Sequence, residues 1–450
     1  MAEPVSVKRS PARGCLIAAL LLLLVVLVLI MMVLIVGKAK TTPWPEPIPG
    51  VDLSLPYEGV DVLTPTNGFY HFEALNDLGL KWPRKVNDHV DVAPLVDYGG
   101  TSLVAFVAAN PKVEEIVHQA ANAPIWRIKG PIHFDMEMLG VSSAIDQAKF
   151  HRWVLAEQAR RGDWASFEQT AADQLAIADG MNSGDLMLEL VSIALYGIIA
   201  EELISIASTT NLPVAVSQAL RQELVAHEPS PEELANTMRF EGRLMLMNIP
   251  RMRQFALSMN NFDVPEWVCR RGSTRTKHNL ETFLSLMVYE AGQTQPGDSP
   301  GKDWLEQSAG DGAWIFLSDD PGGRLIVSEF WSSSQTIIRD QRKARATMRG
   351  AQIVLAIEEF KQTRGRTPQT LEELVPDILD ALPVDPFSTT QKPLRGVLHE
   401  NSWRIYSVGA DHIDGGGDLP SGTDHFTWKQ ASDLIIRPTR HMEATKGHSP

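Results

Sequence analysis

The feature that most limits what this chain can fold into is a run of 22 residues, Cys15 to Val36, that carries no charge and is made largely of Leu, Val and Ile. At about 1.5 Å of rise per residue, a helix of that length crosses a hydrocarbon core of roughly 30 Å. The run is therefore read as a transmembrane helix. A cleaved signal peptide has a shorter apolar region followed by small residues at a processing site, whereas Gly37-Lys38-Ala39-Lys40 follows directly here. Lys8, Arg9 and Arg13 precede the run and Lys38 and Lys40 follow it, a narrow excess that puts the N-terminus in the cytoplasm. The expectation is a single-pass membrane protein. It meets the lipid bilayer through residues 15–36 and carries its C-terminal region outside the cytoplasm. No second stretch is expected to span. The apolar segment Leu186 to Ile206 is interrupted by Glu189, Glu201 and Glu202, which are read as its solvated edge.

Beyond the membrane run the composition is globular, with 44% hydrophobic and 21% charged residues over 450 positions, which disfavours a polytopic membrane fold. The 41 Lys and Arg against 55 Asp and Glu leave a formal charge of -14, which repels phosphate backbones and excludes nucleic acid as the main partner. Two cysteines, Cys15 and Cys269, allow at most one disulfide and no Cys-rich zinc module.

Residues 1–14 are the cytoplasmic N-terminus. Residues 37–100 read as a Pro-rich stalk and entry segment: over 41–66, Pro43, Pro45, Pro47, Pro49, Pro56 and Pro65 block helix continuation and make an extended stalk. A helical domain is expected over 101–291. Gly162-Asp163-Trp164 separates a helix Ala144 to Arg161 from another over Trp164 to Met181, and Asn182-Ser183-Gly184-Asp185 separates that one from a third running to about Ser208. Ser230-Pro231-Glu232-Glu233 combines an N-cap serine, a proline at the first helical position and a glutamate placed to close a capping box. Residues 292–336, rich in Gly, Pro, Asp and Ser over 292–325, read as a loop-rich connector.

In the C-terminal part a helix is expected over Ile337 to Thr363, with Gly350, Ile353, Ile357 and Phe360 on one face and Arg342, Lys343 and Arg345 solvated. Thr370-Leu371-Glu372-Glu373 places a second capping box on a short helix ending near Pro376, and Leu382-Pro383-Val384-Asp385-Pro386-Phe387 forces an extended, kinked chain. Leu394 to Leu398 and Trp403 to Val408 read as a β-hairpin around His399-Glu400-Asn401, followed by a loop of Asp and Gly, and residues 431–450 as a tail.

Two resemblances follow from these motifs. The helices flanking "ARRGDW" are loosely similar to tetratricopeptide-type helical hairpins, which stack to form protein-binding surfaces; no 34-residue repeat is sustained, so an irregular all-helical domain stays open beside it. The order "GRTPQTLEELVP", "LPVDPF" and "WRIYSVGADHIDGGGD" over about 345–420 resembles the globular domain of type II secretion major pseudopilins. The fold class expected is thus mainly α: a single N-terminal transmembrane helix, a helical-hairpin domain and a small α+β pseudopilin-like domain over 337–430. Pseudopilins carry a glutamate early in their apolar helix, whereas Gly14 is followed here by Cys15-Leu16-Ile17-Ala18-Ala19. The pseudopilin resemblance implies a calcium ion in the final loop, with Ser407, Asp411 and Asp418 at matching positions and Asp414 inside the loop. Short loops of aspartates and carbonyls suit calcium, and an ordinary Asp/Gly turn or a zinc site using His412 and His425 are the alternatives.

No catalytic motif survives inspection. Gly297-Asp298-Ser299-Pro300-Gly301 fits the G-x-S-x-G pattern, but Pro300 has no N–H to give an oxyanion hole. His133-Phe134-Asp135 reads as structural. The function expected is interaction with an unidentified envelope protein rather than catalysis, with an enzyme assembled from distant residues or a divergent secretion or pilus-assembly component as alternatives.

Overall fold

The computed structural model describes residues 26–32, 43–54, 60, 62–80, 109–128, 141–182, 185–259, 273–294, 296, 315, 318, 320–399, 402–417 and 433–437. The protein is mainly helical with one small sheet. Of the membrane run, residues 26–32 are described; they are helical and every side chain from Val26 to Met32 is exposed. Cys269, His133, Asp135 and the Gly297 to Gly301 motif lie outside the described residues.

The helices in chain order are α1 (Gly68–Asp77), α2 (Lys112–Ala121), α3 (Val141–Arg161), α4 (Trp164–Met181), α5 (Leu186–Thr209), α6 (Val214–Ala226), α7 (Pro231–Met247), α8 (Ile249–Met259), α9 (Ser273–Ala291) and α10 (Pro321–Arg364). Strands β1 (Arg395–His399), β2 (Ser402–Ser407) and β3 (Leu434–Arg437) form an antiparallel sheet in that order. The chain divides into two compact units, one of residues 1–49, 248–286 and 299–332 and the other of 50–247, 287–298 and 333–450.

In the larger unit, α3, α4 and α5 begin and end close to where the sequence places them. Asp163 caps α4 by accepting from the Ser166 N–H, Asp185 caps α5 by accepting from Met187 and Leu188, and Ser230 and Glu233 exchange both bonds of a capping box. Helices α3, α5 and α7 start at residues 141, 186 and 231, a spacing of 45 residues, and pack side by side, while α4 packs on α5 and α6. Among the described residues, α5 is the one helix long and apolar enough to cross a membrane. Its surroundings make it a core helix: Leu188, Val191, Leu195, Ile199 and Leu203 are buried, and the helix packs against α3, α4 and α7.

In the entry segment that follows the stalk lies α1, capped by Asn67 and anchored by buried Phe69, Phe72 and Leu75, where an apolar face at helical spacing takes over after Pro65. Three expectations are corrected. The connector ends early, because α10 starts at Pro321 with Asp320 accepting from the Gly323 N–H; proline in a first turn begins a helix rather than breaking it. The short helix after Thr370 is a single 3-10 turn over Leu371–Leu374. The tail supplies β3, whose Ile436 presses on α10 at Gly350, where any side chain would collide with it.

The pseudopilin-like segment is not a separate body. Ala344, Met348, Val354, Leu355, Phe360, Trp403 and Ile436 belong to one continuous core with residues of α1 to α7, so its helix is buried against the hairpins. In the smaller unit, buried Asp320 also accepts from Thr276 Oγ1 at 2.7 Å and Asn279 Nδ2 at 2.8 Å.

Candidate functional site

At the C-terminal loop the residues expected to hold calcium have other partners. Asp385, wholly buried in the Leu-Pro-x-Asp-Pro kink, accepts from Ser407 Oγ at 2.6 Å and from the N–H groups of Val408 and Phe387, both at 2.9 Å. The same Ser407 oxygen accepts from the Gly409 N–H at 3.2 Å, so its donor and an acceptor site are both in use. Asp414 pairs with Arg395 Nε at 2.9 Å and accepts from Tyr406 Oη at 3.1 Å; burial and this carboxylate push the Tyr406 phenol up to about 12. Asp411 closes its own turn on the Ile413 N–H, His412 Nδ1 donates to the Phe387 carbonyl, and Asp418 and His425 lie outside the described residues. Asp433, which sequence reasoning passed over, accepts from Gly415 and Gly417 N–H and ties the loop to β3; its pKa is raised by burial and by Asp414 and Asp411. Among the described residues, no three His, Cys, Asp or Glu side chains are grouped to hold a metal ion. Ser407 uses its donor on Asp385 and one of its two acceptor positions on the Gly409 N–H. It works as the strut that joins the kink to the end of β2.

A second cluster lies where α4, α5, α7 and α10 meet, and here the reading of Glu189 and Glu202 as a solvated edge is corrected. Glu189 is 1% exposed, with its carboxyl 3.3 Å from Gln341 Nε2 of α10 and 3.4 Å from Thr237 Oγ1 of α7. Burial, and then the repulsion of Glu233, push it up to about 8, so the native protein holds it as the neutral acid at pH 7. Gln341 Nε2 also reaches the Ser230 carbonyl at 3.2 Å, and Glu233 is gripped by the Ser230 N–H at 2.7 Å and Asn182 Nδ2 at 3.0 Å. Tyr196 and Asp179 stand 3.5 Å apart beside it, and the hydrogen bond of His227 to Asp179 raises that imidazole. Glu202, also buried, is met by Arg152 Nε at 2.9 Å.

The face of α10 expected to be solvated is a docking face instead. Arg345, 5% exposed, and Arg349 both close on Glu228 at 3.1 and 2.6 Å, Arg221 and Gln218 of α6 hold Glu359, and Gln362 reaches the Leu212 carbonyl. Burial lowers Arg342 and brings Lys343 down to about 8. These charges sit at helical spacing among apolar residues, and only the neighbouring helices decide that they face protein.

A third group pairs histidines with carboxylates. His118 Nδ1 meets Asp173 at 2.9 Å, and buried His151 donates from Nδ1 to the Gln147 carbonyl with Nε2 3.3 Å from Glu114. The Glu-x-x-x-His spacing of Glu114 and His118 was the available signal for this group, since it puts both on one face of α2. Comparison with family models, with curated proteins and with solved structures gives no match.

Proposed function

We propose that this is a membrane-anchored protein of the bacterial envelope that acts by protein–protein interaction, holding helices on a stack of helical hairpins. The observation that carries the reading is α10: the stack of α3 to α7 already grips an amphipathic helix of its own chain through Glu228, Arg221 and Gln341, in addition to the shared core. Surfaces built from stacked hairpins take helical and extended ligands in this manner. Anchorage is supported by the exposed apolar helix at residues 26–32, a surface with no reason to face water.

Anchorage is tested by alkaline carbonate extraction: the full chain should stay with the membrane pellet, and a chain starting at Thr42 should stay soluble. Interaction is tested by placing a photo-crosslinking residue at Met187 or Val225, which are 52% and 62% exposed on the stack. A discrete heavier species in cells is expected from at least one position. Recovery of the full chain in the carbonate supernatant sinks the anchor, and no adduct from either position sinks the interaction reading.

A further inference from the structure

The geometry points to a proton-dependent latch on α10: with Glu189 protonated the seam at Gln341 is closed, and loss of that proton loosens α10 around Gln341 from the hairpin stack. This concerns regulation of the docked helix and stands on contacts within the larger unit, so it survives or fails separately from the membrane anchor.

Glu189 is enclosed by three elements that it touches or faces. Helix α7 presents Glu233 and the Thr237 hydroxyl, α4 presents Asp179 with His227 beyond it, and α10 presents the neutral Gln341; Tyr196 comes from α5 itself. No charge of α3 acts on Glu189 among the described residues, and Arg345, one turn on from Gln341, is drawn to Glu228. The pocket thus offers an ionised Glu189 one repelling carboxylate and no cation. A neutral acid is satisfied there, because it can donate its proton to Thr237 while accepting from Gln341. An anion requires water, and water enters where the enclosure is weakest.

That place is the seam of α10 beside Gln341, where residues 339, 340, 342 and 343 are partly exposed. Helices α5 and α7 are fixed by Leu188, Val191, Leu195, Phe240 and Leu244 of the main core, and α10 joins that core from Ala344 onward. Gln341 itself meets the stack through two polar contacts, to Glu189 and to the Ser230 carbonyl; Ile337 and Ile338 one turn earlier are buried, while Arg339, Asp340, Arg342 and Lys343 beside it are partly exposed. A latch of this kind weakens as pH rises from the ordinary glutamate range near 4.5 to about 8 and is level above that.

Hydrogen exchange on the full chain in detergent micelles, expressed as protection factors so that the intrinsic pH effect is removed, reads it directly. Protection of residues 337–349 should fall about tenfold or more between pH 6 and pH 8.5, and residues 150–160 of α3 should change little. In Glu189→Gln the fall should be largely gone. Wild-type protection that is constant with pH, or a fall of the same size in Glu189→Gln, overturns the latch. Should Glu189→Gln fail to fold, Glu233→Gln decides the matter, because glutamine preserves the capping box while removing the repelling charge. A shallower fall that levels off at lower pH supports the latch, and an unchanged fall overturns it.

Discussion

Asp385 has no water to turn to, and each of its contacts closes a different piece of the C-terminal fold: Ser407 ends β2, Val408 starts the loop, and Phe387 belongs to the kink itself. Removing one side of such a buried set leaves the other side unpaired, so Asp385→Ala should cost about 4 kcal/mol in thermal or denaturant unfolding. Ser407→Ala should cost about 1–2 kcal/mol, because one hydroxyl bond to a charged group and one backbone partner are lost. Its effect should be the same in millimolar calcium and in chelator. A loss seen in calcium alone would return Ser407 to the role that the pseudopilin resemblance implies. Elsewhere the decisive residues are glycines. The Trp126 indole lies between Gly68 of α1 and Gly180 of α4, and an added Cβ would come within 2.2 and 2.1 Å of the ring. Gly68→Ala and Gly180→Ala should therefore each cost about 3 kcal/mol by overpacking. The double variant should cost less than their sum, since a ring displaced by one substitution no longer meets the other. Strict additivity in the unfolding midpoints would mean that Trp126 is not the shared obstacle.

Among the elements, α10 is the one on which the larger unit turns, and Glu228 is its main polar attachment. One carboxylate serves two guanidiniums, with the Arg345 side chain 6% exposed. Glu228→Ala leaves both cations without a counter-charge and should cost about 3–5 kcal/mol, more than Arg345→Ala, which leaves Glu228 paired with Arg349. The reverse order in melting temperatures would show that Arg345 is held by packing of its stem rather than by charge. Sequence alone gave the ends of α3, α4 and α5 to within a few residues, since Gly162-Asp163 and Asp185 terminate and cap them by short-range chemistry. It also gave β1 and β2 and the Gly350, Ile353, Ile357 and Phe360 face. It missed the first 16 residues of α10, because Gly322-Gly323 reads as a breaker unless Asp320-Pro321 is recognised as a start. It missed β3, because three apolar residues and an arginine are too short a run to show a period. The junction cluster was out of reach for a different reason. Whether Glu189 on an apolar helix faces water or a neighbour depends on α7 and α10, which lie 48 and 152 residues further along the chain.

For the molecule as a whole, buried acids and the raised histidine give stability a direction with pH. Glu189 has its native pKa raised from 4.5 to about 8, so the folded chain binds a proton that the unfolded chain gives up above pH 4.5. Its contribution is fully present below that pH, is lost as pH rises, and levels off above 8. Glu241, raised to about 7 by burial and then by Asp185, acts in the same sense over a narrower range. His227, raised by its bond to Asp179, contributes stability that is present below the ordinary histidine range and lost as pH passes its folded value. All three slopes have one sign, so the unfolding free energy of the chain from Thr42 should decline from about pH 5 to pH 8, with each fully buried acid contributing at most about 1.4 kcal/mol per pH unit. Glu157, held down to about 2 by Arg160 and Arg161, works in the opposite sense below pH 4.5 but is a surface pair of small weight. Denaturant melts at half-unit steps of pH should therefore place the maximum near pH 5. In Glu189→Gln the decline should be shallower, with the remainder due to Glu241 and His227. A stability curve that is flat or rising from pH 5 to pH 8 would mean that Glu189 is ionised in the native protein, and that water or an unseen cation reaches the junction of α5, α7 and α10.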